Sequence, residues 1–150
     1  MKKFIIVILF FLIGLHLFAQ EQNTITLGSE VTLTLSKAAG NTFTYKITEV
    51  KKINKNTLIV SADVLKGQVD TNQVKLFFCK GKFGDNTATV LIIKNGLKVS
   101  LKYAAKIKTG DRDYFEKTSV EPLFPNVKSI EEWPYDIAEI TLSDFTVTEF

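Results

Sequence analysis

Two short stretches hold most of the side chains in this sequence whose types and spacing suit chemistry: TGDRDYFEK at residues 109–117 and SIEEWPYD at residues 129–136. In the first, Asp111, Asp113 and Glu116 stand at i, i+2 and i+5. Carboxylates so spaced on a loop can gather oxygens around calcium, which takes about six to eight of them. The stretch lacks the fuller acidic loop with its central glycine, so the preferred expectation is a turn. There Gly110 supplies conformational freedom, the aspartates bond nearby amides and Arg112 balances their charge.

In the second stretch, Glu131, Glu132 and Asp136 flank Trp133 and Tyr135. Aromatic faces stack on the apolar faces of sugar rings while carboxylates accept hydrogen bonds from sugar hydroxyls, so these five residues are the candidate ligand-binding set. The same letters also have a purely structural reading. Ser129 followed three residues later by Glu132 matches a capping box, and Pro134 would end any helix that it started. Trp133, the sole tryptophan, suits a core plug that closes one end of a fold.

A third candidate is a basic stripe. Lys98, Lys102, Lys106 and Lys108 share one parity of a strand-like run and would extend roughly 30 Å at about 3.3 Å per residue. Anionic polysaccharide, lipid headgroups or nucleic acid would suit such a stripe. A solvated face that discourages edge-to-edge pairing is the plain alternative. The chain is polarised around it: residues 46–108 hold 13 basic and 4 acidic residues, and residues 109–150 hold 3 and 10. The acidic last strand is expected to lie near the lysine strand and offset it.

The rest of the chain limits what these residues can do. It opens with MKKFIIVILFFLIGLHLFAQ, in which two lysines precede an apolar run from Phe4 to Phe18 and the small residue Ala19. That is the pattern of a cleaved secretory signal peptide at residues 1–19, and the run is short for the roughly 20 residues of a membrane span. Residues 20–150 are then expected to be a single exported domain in the periplasm or the extracellular space, with no membrane span after cleavage. The only histidine, His16, leaves with the leader, and loss of Lys2 and Lys3 reduces 19 basic residues to 17 against 16 acidic ones. A net charge of +1 gives no electrostatic case for nucleic-acid binding.

Without histidine, Ser-His and Cys-His nucleophiles and histidine-containing zinc sites are excluded. The lone Cys79 cannot make a disulfide within the chain or a dithiol redox site, and its apolar setting in VKLFFC suits a buried thiol. No phosphate loop or nucleophile elbow is present, and no cofactor is expected. The surviving enzyme alternative is a glycoside hydrolase using a carboxylate pair, Glu131 or Glu132 with Asp136 or Glu116.

The elements that must position these candidates follow from alternation with period two. Val31, Leu33 and Leu35 alternate with polar residues, as do Phe43, Tyr45 and Ile47. Further strands are expected at 57–65, at 74–79 before Lys80-Gly81-Lys82, and at 87–93. GDN at 84–86 marks a turn, and Asn95-Gly96 is the strongest tight-hairpin signal in the chain. The strand after it is read as running from Leu97, with Leu97, Val99, Leu101, Tyr103, Ala105 and Ile107 facing the core. A last strand from Ile137 changes parity between Leu142 and Phe145, which predicts a bulge near Ser143-Asp144. VKLFFC is apolar on both faces and reads as a central strand, or as one covered by a partner through Phe77.

About eight strands, short turns and no amphipathic helix predict an all-β fold, an antiparallel immunoglobulin-like β-sandwich. The function expected is that of a small exported, non-catalytic binding or accessory module whose partner is a polysaccharide or an envelope protein. The alternatives are the glycoside hydrolase above and a structural subunit of a secreted or envelope assembly.

Overall fold

The structure, a computed structural model, describes residues 24–54, 64–83 and 86–149. The expected leader lies outside them, as does most of the strand expected at 57–65. Nine strands occur among the described residues: β1 (Ile25–Thr26), β2 (Ser29–Lys37), β3 (Phe43–Lys52), β4 (Gln73–Phe83), β5 (Asn86–Asn95), β6 (Leu101–Thr109), β7 (Glu116–Thr118), β8 (Lys128–Trp133) and β9 (Ile137–Val147). They form a four-stranded sheet, β1-β9-β6-β7, and a five-stranded sheet, β3-β2-β4-β5-β8, with every strand pairing antiparallel. Among the described residues no helix is long and apolar enough to cross a membrane.

The sheets stack as a β-sandwich because each offers one apolar face. Val31, Leu33, Leu76, Phe78 and Leu91 come from the five-stranded sheet; Leu101, Ile107, Ile140 and Phe145 come from the other, and all belong to one buried cluster. Their alternation along each strand is the period-two signal of the sequence made physical. Phe145 stacks on Tyr103 at 5.7 Å and meets Tyr45 edge-on at 5.5 Å. Tyr45, from the opposite sheet, donates its hydroxyl to the Leu142 carbonyl at 2.6 Å.

The chain changes sheets at its first corner within two residues. Leu27 N–H bonds the Ala138 carbonyl in one sheet, and Gly28 N–H bonds the Phe78 carbonyl in the other. Gly28 has φ near 87°, a conformation that glycine adopts without steric penalty.

VKLFFC lies in β4, the middle strand of five, as its two-faced apolarity implies. Leu76 and Phe78 enter the main core. On the opposite face, Phe77 joins Val64, Leu65, Val90 and Ile92 in a smaller cluster. Val64 and Leu65 occupy a bend there, at the end of the segment expected to be a strand. Gly81 and Lys82 do not end β4; they pair with Ala88 and Thr87, and the hairpin to β5 closes with Phe83 opposite Asn86.

Asn95-Gly96 is not a tight hairpin, because β5 and β6 belong to different sheets. Gly96 is absent from the positive-φ residues, so a type I′ turn is not what it serves. Asn95 is fully buried at a corner between the sheets. Its Oδ1 accepts Leu97 N–H at 2.9 Å, and its Nδ2 donates to the carbonyls of Val99 at 2.8 Å and Leu123 at 3.3 Å. Gly96 is needed for close approach, since a Cβ there would lie 2.2 Å from the Asp70 carbonyl oxygen. Residues 97–99 therefore bend, and β6 begins at Leu101 instead of Leu97. Val99, expected in the core, is exposed.

The bulge in β9 is found where the parity change predicts it. Lys102 pairs with Thr146 and Ala104 with Ser143, leaving one extra residue on β9. Asp144 takes φ near 56°, a left-handed conformation that a short polar side chain tolerates, and Phe145 is thereby returned to the core.

Candidate functional site

Strand alternation divides the five residues expected to bind ligand. SIEEW forms the edge strand β8, so Ser129 and Glu132 do not cap a helix. Glu131 and Trp133 point between the sheets, whereas Glu132 is exposed and stands on the opposite parity. Trp133 is only 6% exposed, and its indole Nε1 donates to Thr118 Oγ1 at 2.9 Å. It is the core plug of the structural reading.

Glu131 is a buried carboxyl in a hydrogen-bonded setting. Its Oε1 accepts Glu121 N–H at 2.7 Å and lies 3.5 Å from the Tyr103 hydroxyl, which donates. Burial pushes this carboxyl up, the Glu121 amide draws it down, and the nearby Glu121 charge adds to the rise. Burial and the Glu131 charge also push the Tyr103 phenol up. Glu131 thus bonds both the Tyr103 hydroxyl and the Glu121 amide within the sandwich.

Tyr135 and Asp136 lie in the turn between β8 and β9, and both are exposed. A residue that sequence reasoning passed over holds this turn. Thr89 Oγ1, fully buried, donates to the Tyr135 carbonyl at 2.8 Å and accepts Ile137 N–H at 3.1 Å. Nothing in the local sequence distinguishes Thr89 from the other threonines on β-strands. Asp136 pairs with Lys80 Nζ at 2.7 Å across from β4.

The 109–117 stretch is a turn between β6 and β7, as preferred. Arg112 N–H bonds the Thr109 carbonyl at 3.2 Å, the Arg112 guanidinium pairs with Glu116, and it lies 5.7 Å from the centre of the Tyr114 ring. Among the described residues no three carboxylate, cysteine or histidine side chains gather in a way that could hold a metal ion. Asp111, Asp113 and Glu116 therefore do not converge as the calcium alternative requires.

This turn and the Tyr135-Asp136 turn face one cleft of about 730 Å³, with Asp111, Arg112, Glu116, Lys117, Tyr135 and Asp136 among its lining residues. The two most chemically endowed stretches of the sequence, which begin 20 positions apart, thus meet at one end of the sandwich. The cleft falls within the range of about 300–1,000 Å³ common for small-ligand sites. It offers an exposed phenol ring, carboxylate acceptors, and guanidinium and ammonium donors. Of the carboxylates considered for hydrolysis, Asp136 and Glu116 line it; each already has a cationic partner. Glu131 and Glu132 are not among its lining residues.

Lys102, Lys106 and Lys108 lie on the outer face of β6, whereas Lys98 sits in the bend before it and leaves the stripe. Glu139 of β9 stands opposite Lys108 and pairs with it at 3.6 Å, so the acidic last strand partly offsets the stripe. Lys106 has Thr141 on one side and Lys117 on the other. Lys117 was not part of the expected stripe, because its place beside Lys106 depends on the β6–β7 register.

No family model matches the chain, nor does any curated protein or solved structure.

Proposed function

We propose that this chain is an exported immunoglobulin-like β-sandwich that works as a non-catalytic binding or accessory module, taking a polysaccharide in the cleft between its two polar turns. The leader sequence supports export to the periplasm or beyond. The sheet change at Gly28 and the four- and five-stranded sheets support the immunoglobulin-like reading.

One observation carries the functional reading: the cleft of about 730 Å³ in which Tyr135 and Asp136 meet the 109–117 turn. An exposed tyrosine ring gives a sugar an apolar platform, and the surrounding charged groups match its hydroxyls in both hydrogen-bonding senses. The backbone of the Tyr135 turn is fixed by Thr89, so the platform is held before ligand arrives.

Calorimetric titration with a panel of neutral oligosaccharides tests this. At least one should bind, and Tyr135→Ala should abolish the heat without lowering the melting temperature. Equal binding by the Tyr135→Ala protein, or no binding across the panel, would refute the cleft as a polysaccharide site.

A further inference from the structure

We propose that the outer face of the four-stranded sheet carries a second ligand site, centred on Lys106 and Lys117, that binds the acidic groups of an anionic polysaccharide. It stands on the charges of that face and does not rest on the cleft reading, although Lys117 also borders the cleft while Lys106 does not.

Lys106 and Lys117 are direct cross-strand partners on β6 and β7. Like charges placed directly opposite each other destabilise a sheet. Neither lysine forms an ion pair with a described residue, although this chain pairs Lys108 with Glu139 on the same face. Between them and the β9 bulge lies a depression of about 340 Å³, lined by Ala104, Lys106, Lys117, Thr118, Ser143 and Asp144. Ala104 stands between Lys102 and Lys106 on the outward parity of β6, and its small side chain leaves the hollow open. An anion seated there meets two ammonium groups and relieves their mutual repulsion. Lys102, four residues away along β6, lies roughly 13 Å from Lys106 at about 3.3 Å per residue, and would meet a second acidic group of the same polymer.

The remaining groups select the kind of polyanion. Asp144 is at the rim, with Ser143 Oγ donating to its Oδ2 at 2.8 Å. A carboxylate beside two lysines repels a uniformly charged phosphate backbone but accepts hydrogen bonds from sugar hydroxyls. The outward positions of β6 and β9 hold Lys102, Ala104, Lys106 and Lys108 beside Glu139, Thr141, Ser143 and Thr146. These include no aromatic ring on which a nucleic-acid base could stack and no large apolar side chain to enter a lipid surface. Spaced anions on a hydroxyl-rich chain fit both the lysines and the aspartate.

Binding to dextran sulfate, with uncharged dextran and a DNA duplex alongside, tests the site at low and moderate salt. Dextran sulfate should bind and weaken as salt rises, uncharged dextran should not bind at this site, and the duplex should bind more weakly than dextran sulfate. The variant Lys106→Gln/Lys117→Gln should lose about tenfold or more in dextran sulfate affinity, the order expected from removing two partly screened charge contacts. Its fold should be intact, because a repulsive pair is removed. A variant of equal charge on the β3 edge, Lys46→Gln/Lys52→Gln, should bind as before. Equal loss in the two lysine variants, no binding of dextran sulfate, or a duplex that binds as tightly would overturn the proposal.

Discussion

The Trp133 indole donates a hydrogen bond to the Thr118 hydroxyl at 2.9 Å, joining β8, an edge strand of one sheet, to β7, an edge strand of the other. The bond closes the sandwich along an open side where no strand pairing crosses between the sheets. Phenylalanine at position 133 keeps an aromatic ring but leaves this contact unmade and should cost about 1–2 kcal/mol in urea unfolding, whereas Trp133→Ala should cost about 3–5 kcal/mol. With the ring only 6% exposed, native fluorescence should be blue and weakly quenched by iodide. A red, readily quenched emission would contradict the packing.

Glu131 should give stability a distinct pH dependence. Burial raises its folded-state pKa above its unfolded value, so the folded protein favours the neutral acid. The resulting contribution is fully present below the unfolded pKa of about 4.3 and is lost as pH rises through the folded pKa. Glu131→Gln keeps an oxygen for the Glu121 amide and cannot ionise. The stability of the wild type minus that of this variant should therefore be greatest in acid and should fall toward neutral pH. A pH-independent difference in urea titrations would contradict the assignment.

Cys79 is fully buried, and burial pushes its thiol up to about 12. The thiolate is the reactive form, so the native protein should resist iodoacetamide at pH 8 and react promptly only when unfolded. Rapid native labelling would show that the face of β4 carrying Phe77 opens readily.

Glycines 96 and 110 should respond in opposite ways to alanine. A Cβ at position 96 meets backbone oxygen at 2.2 Å, so Gly96→Ala should destabilise by about 1–3 kcal/mol. At Gly110 nothing lies within 4 Å, and φ is not in the left-handed region, so Gly110→Ala should be neutral or stabilise by up to about 1 kcal/mol. Thermal unfolding of the two variants side by side checks both.

The bulge at Asp144 was legible because burial imposes parity: Leu142 and Phe145 cannot both face the core unless one extra residue is inserted. The central place of VKLFFC was legible for the same reason, since apolar side chains on both faces require cover on both. Asn95-Gly96 misled because its letters also suit a corner. A dipeptide's conformational tolerance does not say whether the next strand returns along the same sheet, and here the bonds from Asn95 to Val99 and Leu123 decide that it leaves.

The candidate site divides along the same line. Alternation and composition are properties of neighbouring residues, so the sequence by itself determined an all-β chain, its central strand, the polar turn at 109–117 and the outward lysines of β6. Which distant turns share a cleft depends on sheet order, and which charges become neighbours depends on strand register. Only the tertiary structure could bring Tyr135 and Asp136 to Arg112, turn Trp133 and Glu131 inward, and set Lys117 against Lys106. Those relationships are set by packing between segments far apart in the chain, and no local pattern encodes them.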